Sequence, residues 1–147
     1  MTYDATEVAA LERPTAVIVE TTTWEAFPTL WGTLLDEVWA AVRSTDQIAP
    51  GRNVMLYKDD LPNVEVGVEV AEPFTDMGRV VSSTLPAGRA AMTLHHGSYA
   101  DLGAAHHAVI DWCDRHGLER VGPRWEIYGH WIEGSADQDV EVYYLVR

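Results

Sequence analysis

One acid, two phenols and a thioether stand at matched places in this chain of 147 residues. In Trp125-Glu126-Ile127-Tyr128, strand alternation sends Glu126 and Tyr128 to one face and Trp125 and Ile127 to the other. The run Val54-Met55-Leu56-Tyr57 has the same shape, and as a repeat of the first it turns Met55 and Tyr57 the same way. Such a set suits a cleft for a planar ligand. Phenol rings stack and hydrogen-bond, methionine adapts to shape, and a carboxylate meets a positive charge. The bland alternative for Glu126 is an exposed strand residue paired with Lys or Arg. Strand spacing alone leaves both open.

Other rings are candidates for the same cleft. Tyr99 follows the Gly97-Ser98 turn and either lines a pocket mouth or caps the following helix. Trp39 and Trp112 fall at the edges of two helical apolar stripes, where an indole can lean over a cleft. Trp31 lies within a stripe and reads as core. Trp125 joins the cleft only if a bulge turns it. His106, Cys113 and His116 share a helix face, but the spacing matches no compact zinc pattern, so no metal site is assigned. His95 or His96, beside the Gly97 turn, is a candidate proton carrier. No serine or cysteine stands in a nucleophile motif, and no Gly-rich phosphate loop is present. No cofactor is expected.

These residues must be positioned by repeated elements. Thr15–Glu20 and Arg89–Leu94 are short strand-like runs, each soon after a proline and each followed by a polar turn and a ring, Trp24 or Tyr99. A helix follows in each half: Trp31, Leu34, Leu35, Val38 and Val42 form one apolar stripe, and Leu102, Ala105, His106, Val109 and Cys113 the equivalent one. Two strands complete each half, ending in the alternating runs 64–70 and 140–146. The expected fold is α+β: duplicated βαββ units, roughly residues 13–70 and 86–147, form a mostly antiparallel sheet of about six strands with two helices on one face and a central cleft. Segment 71–85 reads as the linker, and residues 1–147 as one domain.

Composition bounds the partners. Ten basic against 23 acidic residues give a formal charge of −13, which repels phosphate backbones and argues against nucleic acid. No apolar run approaches the roughly 20 residues that span a bilayer. With a single cysteine and no signal-like start, the chain is expected to be cytoplasmic, as a monomer or dimer.

The pieces Leu85-Pro86-Ala87-Gly88-Arg89, His96-Gly97-Ser98-Tyr99, Leu102, Trp112 and Gly122-Pro123-Arg124-Trp125-Glu126-Ile127-Tyr128 together resemble the GyrI-like small-molecule-binding domain, also known as the AraC-type effector-binding domain. The first half adds Pro50-Gly51 to Tyr57 and Val64 to Val70. The resemblance implies a stand-alone member that binds large, flat, hydrophobic or cationic molecules. A glutamate in the position of Glu126 would meet the cation among rings that include Tyr128, Tyr99 and Tyr57, with Met55 and the indoles of Trp39, Trp112 and Trp125 as further walls. Where many members run into an Asp-Pro turn, this chain has Gly129-His130-Trp131, so Trp131 is expected as an added wall. The resemblance also implies an alternative: a hydrolase opening the cyclopropane ring of DNA-alkylating natural products. Glu126 would direct the water, and Tyr99 or Tyr128 would bond the oxygen where charge develops. A gyrase-protecting protein contact is the third reading.

Overall fold

A computed structural model of the chain describes residues 2–130, 134 and 138–147. One antiparallel sheet has the strand order β1-β6-β8-β7-β3-β4-β2-β5. Its members are β1 (Thr6–Ala10), β2 (Arg13–Thr21), β3 (Pro50–Tyr57), β4 (Asn63–Val70), β5 (Val80–Leu85), β6 (Gly88–Gly97), β7 (Arg120–Tyr128) and β8 (Gln138–Val146). Helix α1 (Phe27–Arg43) follows β2, and α2 (Leu102–Arg115) follows β6 through a 3-10 turn at Tyr99–Asp101. The two expected βαββ units are thus β2-α1-β3-β4 and β6-α2-β7-β8.

The sheet has eight strands, not six. β5 occupies part of the expected linker 71–85, and β1 lies N-terminal to the first expected unit. Neither carries a clean alternation: β5 reads Val-Val-Ser-Ser-Thr-Leu. Each leading strand crosses over. β1 pairs with β6 of the second unit, and β5 pairs with β2 of the first. Only Leu11 and Glu12 join β1 to β2, and only Pro86 and Ala87 join β5 to β6. Three residue steps span roughly 10 Å at most, so the sheet must curl until its two ends approach each other.

The curl produces three cores. On one sheet face, Leu34, Val38 and Val42 of α1 pack with Ile18, Val66 and Val68. On the same face, Ala105, Val109 and Cys113 of α2 pack with Ala91, Val140 and Val142. The opposite face closes on itself around Val17, Leu56, Leu85, Ala90, Trp125 and Tyr143, drawn from both ends of the sheet. At Gly67 a Cβ would stand 1.8 Å from the Ala16 carbonyl oxygen, so β2 and β4 approach as closely as they do only because no side chain intervenes.

Local signals set the helix ends. Pro28 sits in the first turn of α1, where a missing N–H costs nothing. After α2, Gly117 adopts φ +66. Leu118 N–H then donates to the Cys113 carbonyl at 2.9 Å and Gly117 N–H to that of Asp114 at 3.3 Å, a Schellman closure. Among the described residues no helix is long and apolar enough to cross a membrane.

Candidate functional site

The two units meet where β3 pairs antiparallel with β7, and there Met55 lies directly opposite Glu126. Both point toward the helices. Above this junction, between α1 and the start of α2, lies a cavity of about 530 Å³. Its floor is Met55, Tyr57, Glu126 and Tyr128, and Tyr99 stands on its wall. Phe27, Pro28, Trp31 and Leu35 of α1 face Leu102 of α2 across it. Asn53 and Gly129 complete the lining.

Glu126 is only 4% exposed, yet its carboxylate is well satisfied. Tyr57 and Tyr128 donate their hydroxyls to Oε1 at 2.9 and 2.7 Å. On the other oxygen, Oε2, His106 Nε2 lies at 2.6 Å. Three of about four acceptor positions on the carboxylate are therefore occupied, leaving room for one more donor or a cation. Both phenols also lie near Met55 Sδ, at 3.7 and 3.8 Å. Tyr99 meets Tyr128 edge to face with centroids 5.5 Å apart.

Burial pushes the Tyr57 phenol far up, the charge of Glu126 and the hydrogen bond to it push further, and Arg124 opposes. Tyr128 is raised well above the ordinary value by burial first and then by Glu126. Burial raises Tyr99 as well. All three rings therefore keep their protons through neutral and mildly alkaline conditions and act as donors.

A second, smaller chamber of about 240 Å³ lies on the other side of Glu126 and Tyr57. Its remaining walls are Trp24, His106, Arg124 and Tyr144. Trp24 lies 5.6 Å from Tyr57, and the Arg124 guanidinium sits 5.4 Å above the Trp24 ring. Arg124 also pairs with the exposed Asp60 at 2.8 Å. His106 Nδ1 is 2.7 Å from the Tyr144 hydroxyl.

Of the residues singled out in the sequence, Glu126, Tyr128, Tyr99, Met55 and Tyr57 come together in the larger cavity. Three tryptophans do not. Trp125 is buried in the opposite core, stacked on Tyr143 with centroids 5.2 Å apart, because the register irregularity of β7 ends at Arg124 and the pairing from Arg124 to Tyr128 is regular. Trp39 donates to Asn53 Oδ1 at 2.8 Å and lies beside the Arg43 guanidinium, outside the cavity lining. Trp112 stacks on His116 at the far side of α2 and borders a surface groove with Tyr3. Trp131 lies outside the described residues. Trp31, read as core, is a cavity wall: α1 turns its Leu34 edge to the sheet and its Trp31–Leu35 edge to the space beside it.

His106, a member of the apolar stripe of α2, reaches the Glu126 carboxylate, while Cys113 of the same stripe is buried in the core beneath the helix. The other candidate histidines do not reach the cavity. His95 is buried between the Tyr3 hydroxyl and the Ser98 carbonyl, and His96 pairs with Asp139. A polar residue within the apolar stripe of α2 was the available signal; the stripe itself packs on β6 and β8, and His106 reaches past it to Glu126 of β7.

Over residues 2–147 the chain matches the GyrI-like small molecule binding domain. The chain belongs to this family. Several solved structures share its fold. The C-terminal domain of EcmrR has a TM-score of 0.82 at 19% identity, covering 100% of this chain and 99% of its own. SAV2435, in a structure bound to tetraphenylphosphonium, has 0.67 at 14% identity, covering 100% and 94%. A hydrolase from Listeria innocua has 0.62 at 10% identity, covering 97% and 91%. Identities this low show a common fold and no more. Among curated proteins no match is found.

Proposed function

We propose that this GyrI-like domain binds large, flat, hydrophobic or cationic small molecules in the cavity above Glu126, as a binding or sequestering module. The observation that carries the reading is a carboxylate, one face still open, set into a floor of two phenols and a thioether inside a cavity of about 530 Å³. A volume of that order holds a drug-sized ligand. Its rings would stack on Trp31 and Tyr99, and a cationic centre would sit over the Glu126 carboxylate and the Tyr57 and Tyr128 faces. A desolvated cation over such a ring contributes up to about 2 kcal/mol. The cation-bearing ligand of the neighbour SAV2435 agrees with this class.

Glu126→Gln tests the reading. Titrating tetraphenylphosphonium against intrinsic tryptophan fluorescence, the variant is expected to lose about tenfold or more in affinity. A neutral flat aromatic compound should bind both forms alike. Equal cation affinity in the two forms would remove Glu126 from the site.

Hydrolysis of a strained ring is the second reading, favoured by one observation. Glu126 contacts both phenols and an imidazole, so water activation and oxyanion donation are available within one cavity without a covalent intermediate. Incubation with a spirocyclopropane alkylator, read by mass spectrometry, separates the two. Ring-opened product from the native chain and none from Glu126→Gln supports hydrolysis; no product with tight cation binding supports the module.

A further inference from the structure

A carboxylate buried to the depth of Glu126 is unfavourable without a positive partner. Its hydrogen-bonded partners among the described residues are two phenols, which are neutral, and His106, which alone of the three can carry a positive charge. Arg124 shares the smaller chamber but is turned to Asp60 and Trp24. His106 is therefore the internal counter-charge available to Glu126 when the cavity holds no cation.

An arriving cation puts two positive charges on one carboxylate. The geometry points to a release valve: we propose that capture of a cation over Glu126 drives a proton off His106, through Tyr144, into the smaller chamber. The site would then exchange one proton for its ligand. This deepens, and rests on, the binding function proposed above.

The hydrogen bonds allow the step without loss. In the charged form His106 donates from Nε2 to Glu126 Oε2 and from Nδ1 to the Tyr144 oxygen. The Nδ1 proton passes to the phenol oxygen as the phenol passes its own proton to water. What remains is a neutral imidazole that still donates from Nε2 and now accepts the Tyr144 hydroxyl at Nδ1. Both contacts survive in either state. Tyr144 is well placed as the carrier, since it borders the smaller chamber and also an outer groove lined by Asp60, Asp114, Glu119 and Arg120. Around His106 the titratable or charged groups are Glu126 and Arg124 from β7, Tyr144 from β8 and Tyr57 from β3.

Calorimetry with tetraphenylphosphonium, which has a permanent charge and no proton of its own, tests the exchange in buffers of different ionisation enthalpy. The native chain is expected to release up to one proton per cation. Its affinity should fall as the pH is lowered, by up to about tenfold per pH unit. His106→Gln keeps a donor toward Oε2 and should release no proton, with affinity flat from about pH 6 to 8. In the native chain, imidazole nitrogen resonances should move from the charged to the neutral position when the cation is added, which removes any dependence on the variant folding. Binding without proton release, equal release from His106→Gln, or imidazole resonances that do not move when the cation is added would overturn the exchange and leave the binding function standing. No cation binding to the native chain, by heat or by fluorescence, would instead remove the binding function, and the exchange with it.

Discussion

Leu35 and His106 occupy the same place on α1 and α2, and Met55 and Glu126 the same place on β3 and β7; Asn53 and Arg124 form a third pair, each pair offset by 71 residues. Tyr57 and Tyr128 match as well, and Trp24 packs on the first as Tyr99 packs on the second. The larger cavity takes Leu35, Met55 and Asn53; the smaller takes His106 and Arg124, and Glu126 belongs to both. Two chambers with the same backbone plan have thus been given opposite chemistry. The uncharged member of each pair, Leu35, Met55 or Asn53, lines the larger cavity, and the ionisable member, His106, Glu126 or Arg124, lines the smaller.

Replacing members of the two regions should expose that division of labour. The largest effect is expected from the rings. Trp125→Ala empties the core on the helix-free face and should cost about 3–5 kcal/mol in denaturant unfolding. Trp31→Ala, on the cavity wall at 38% exposure, should cost about 1 kcal/mol or less while weakening ligand quenching. A reversal of that order would mean the walls and the core have been exchanged.

Alkaline titration compares the phenols at the two chambers. Burial and Glu126 raise Tyr57 and Tyr128, while Tyr144 is pushed up to about 12 by burial, with Arg124 holding it down. A raised folded value means stability intact below the unfolded tyrosine value of about 10 and falling as pH rises beyond it. Ultraviolet tyrosinate absorbance should therefore appear late and together with unfolding, and Tyr144→Phe should remove the earliest of these three signals. Early reversible ionisation of all the tyrosines would contradict the closed floor.

The smallest effect lies away from both chambers. Burial raises the Glu69 carboxyl, but hydrogen bonds from Arg52 and Arg13 outweigh it and hold the group below its ordinary value. Its contribution is present above the unfolded carboxylate value, about 4.3, and is lost as pH falls through the folded one. Glu69→Gln should flatten the acid limb of the stability curve slightly and leave ligand affinity unchanged.

Much of this was readable beforehand where periodicity and repetition agree. The paired stripes on the helices and the alternating runs in β3, β4, β7 and β8 place Met55, Tyr57, Glu126 and Tyr128 on one face without any knowledge of the fold. Edge strands β1 and β5 were not readable, because a short strand held by another unit's edge needs no regular alternation of its own. The tryptophans divided for a related reason. A helix residue in or beside an apolar stripe can face the sheet, the cavity or a surface groove: Trp31 lines the cavity, Trp39 bonds Asn53 of β3, and Trp112 borders the groove with Tyr3.

Residue type and spacing by themselves determined the duplicated units, the direction of each strand side chain and the presence of a single acid among rings. Those follow from local rules, the period of two in a strand and of 3.6 in a helix. Tertiary structure alone decided that β3 meets β7 in the register that puts Met55 opposite Glu126, that His106 closes on that acid, and that Trp125 is sealed in a core made by the curl of the sheet. These depend on contacts between residues far apart in the chain, and no local period encodes which distant partner a strand or a histidine will meet.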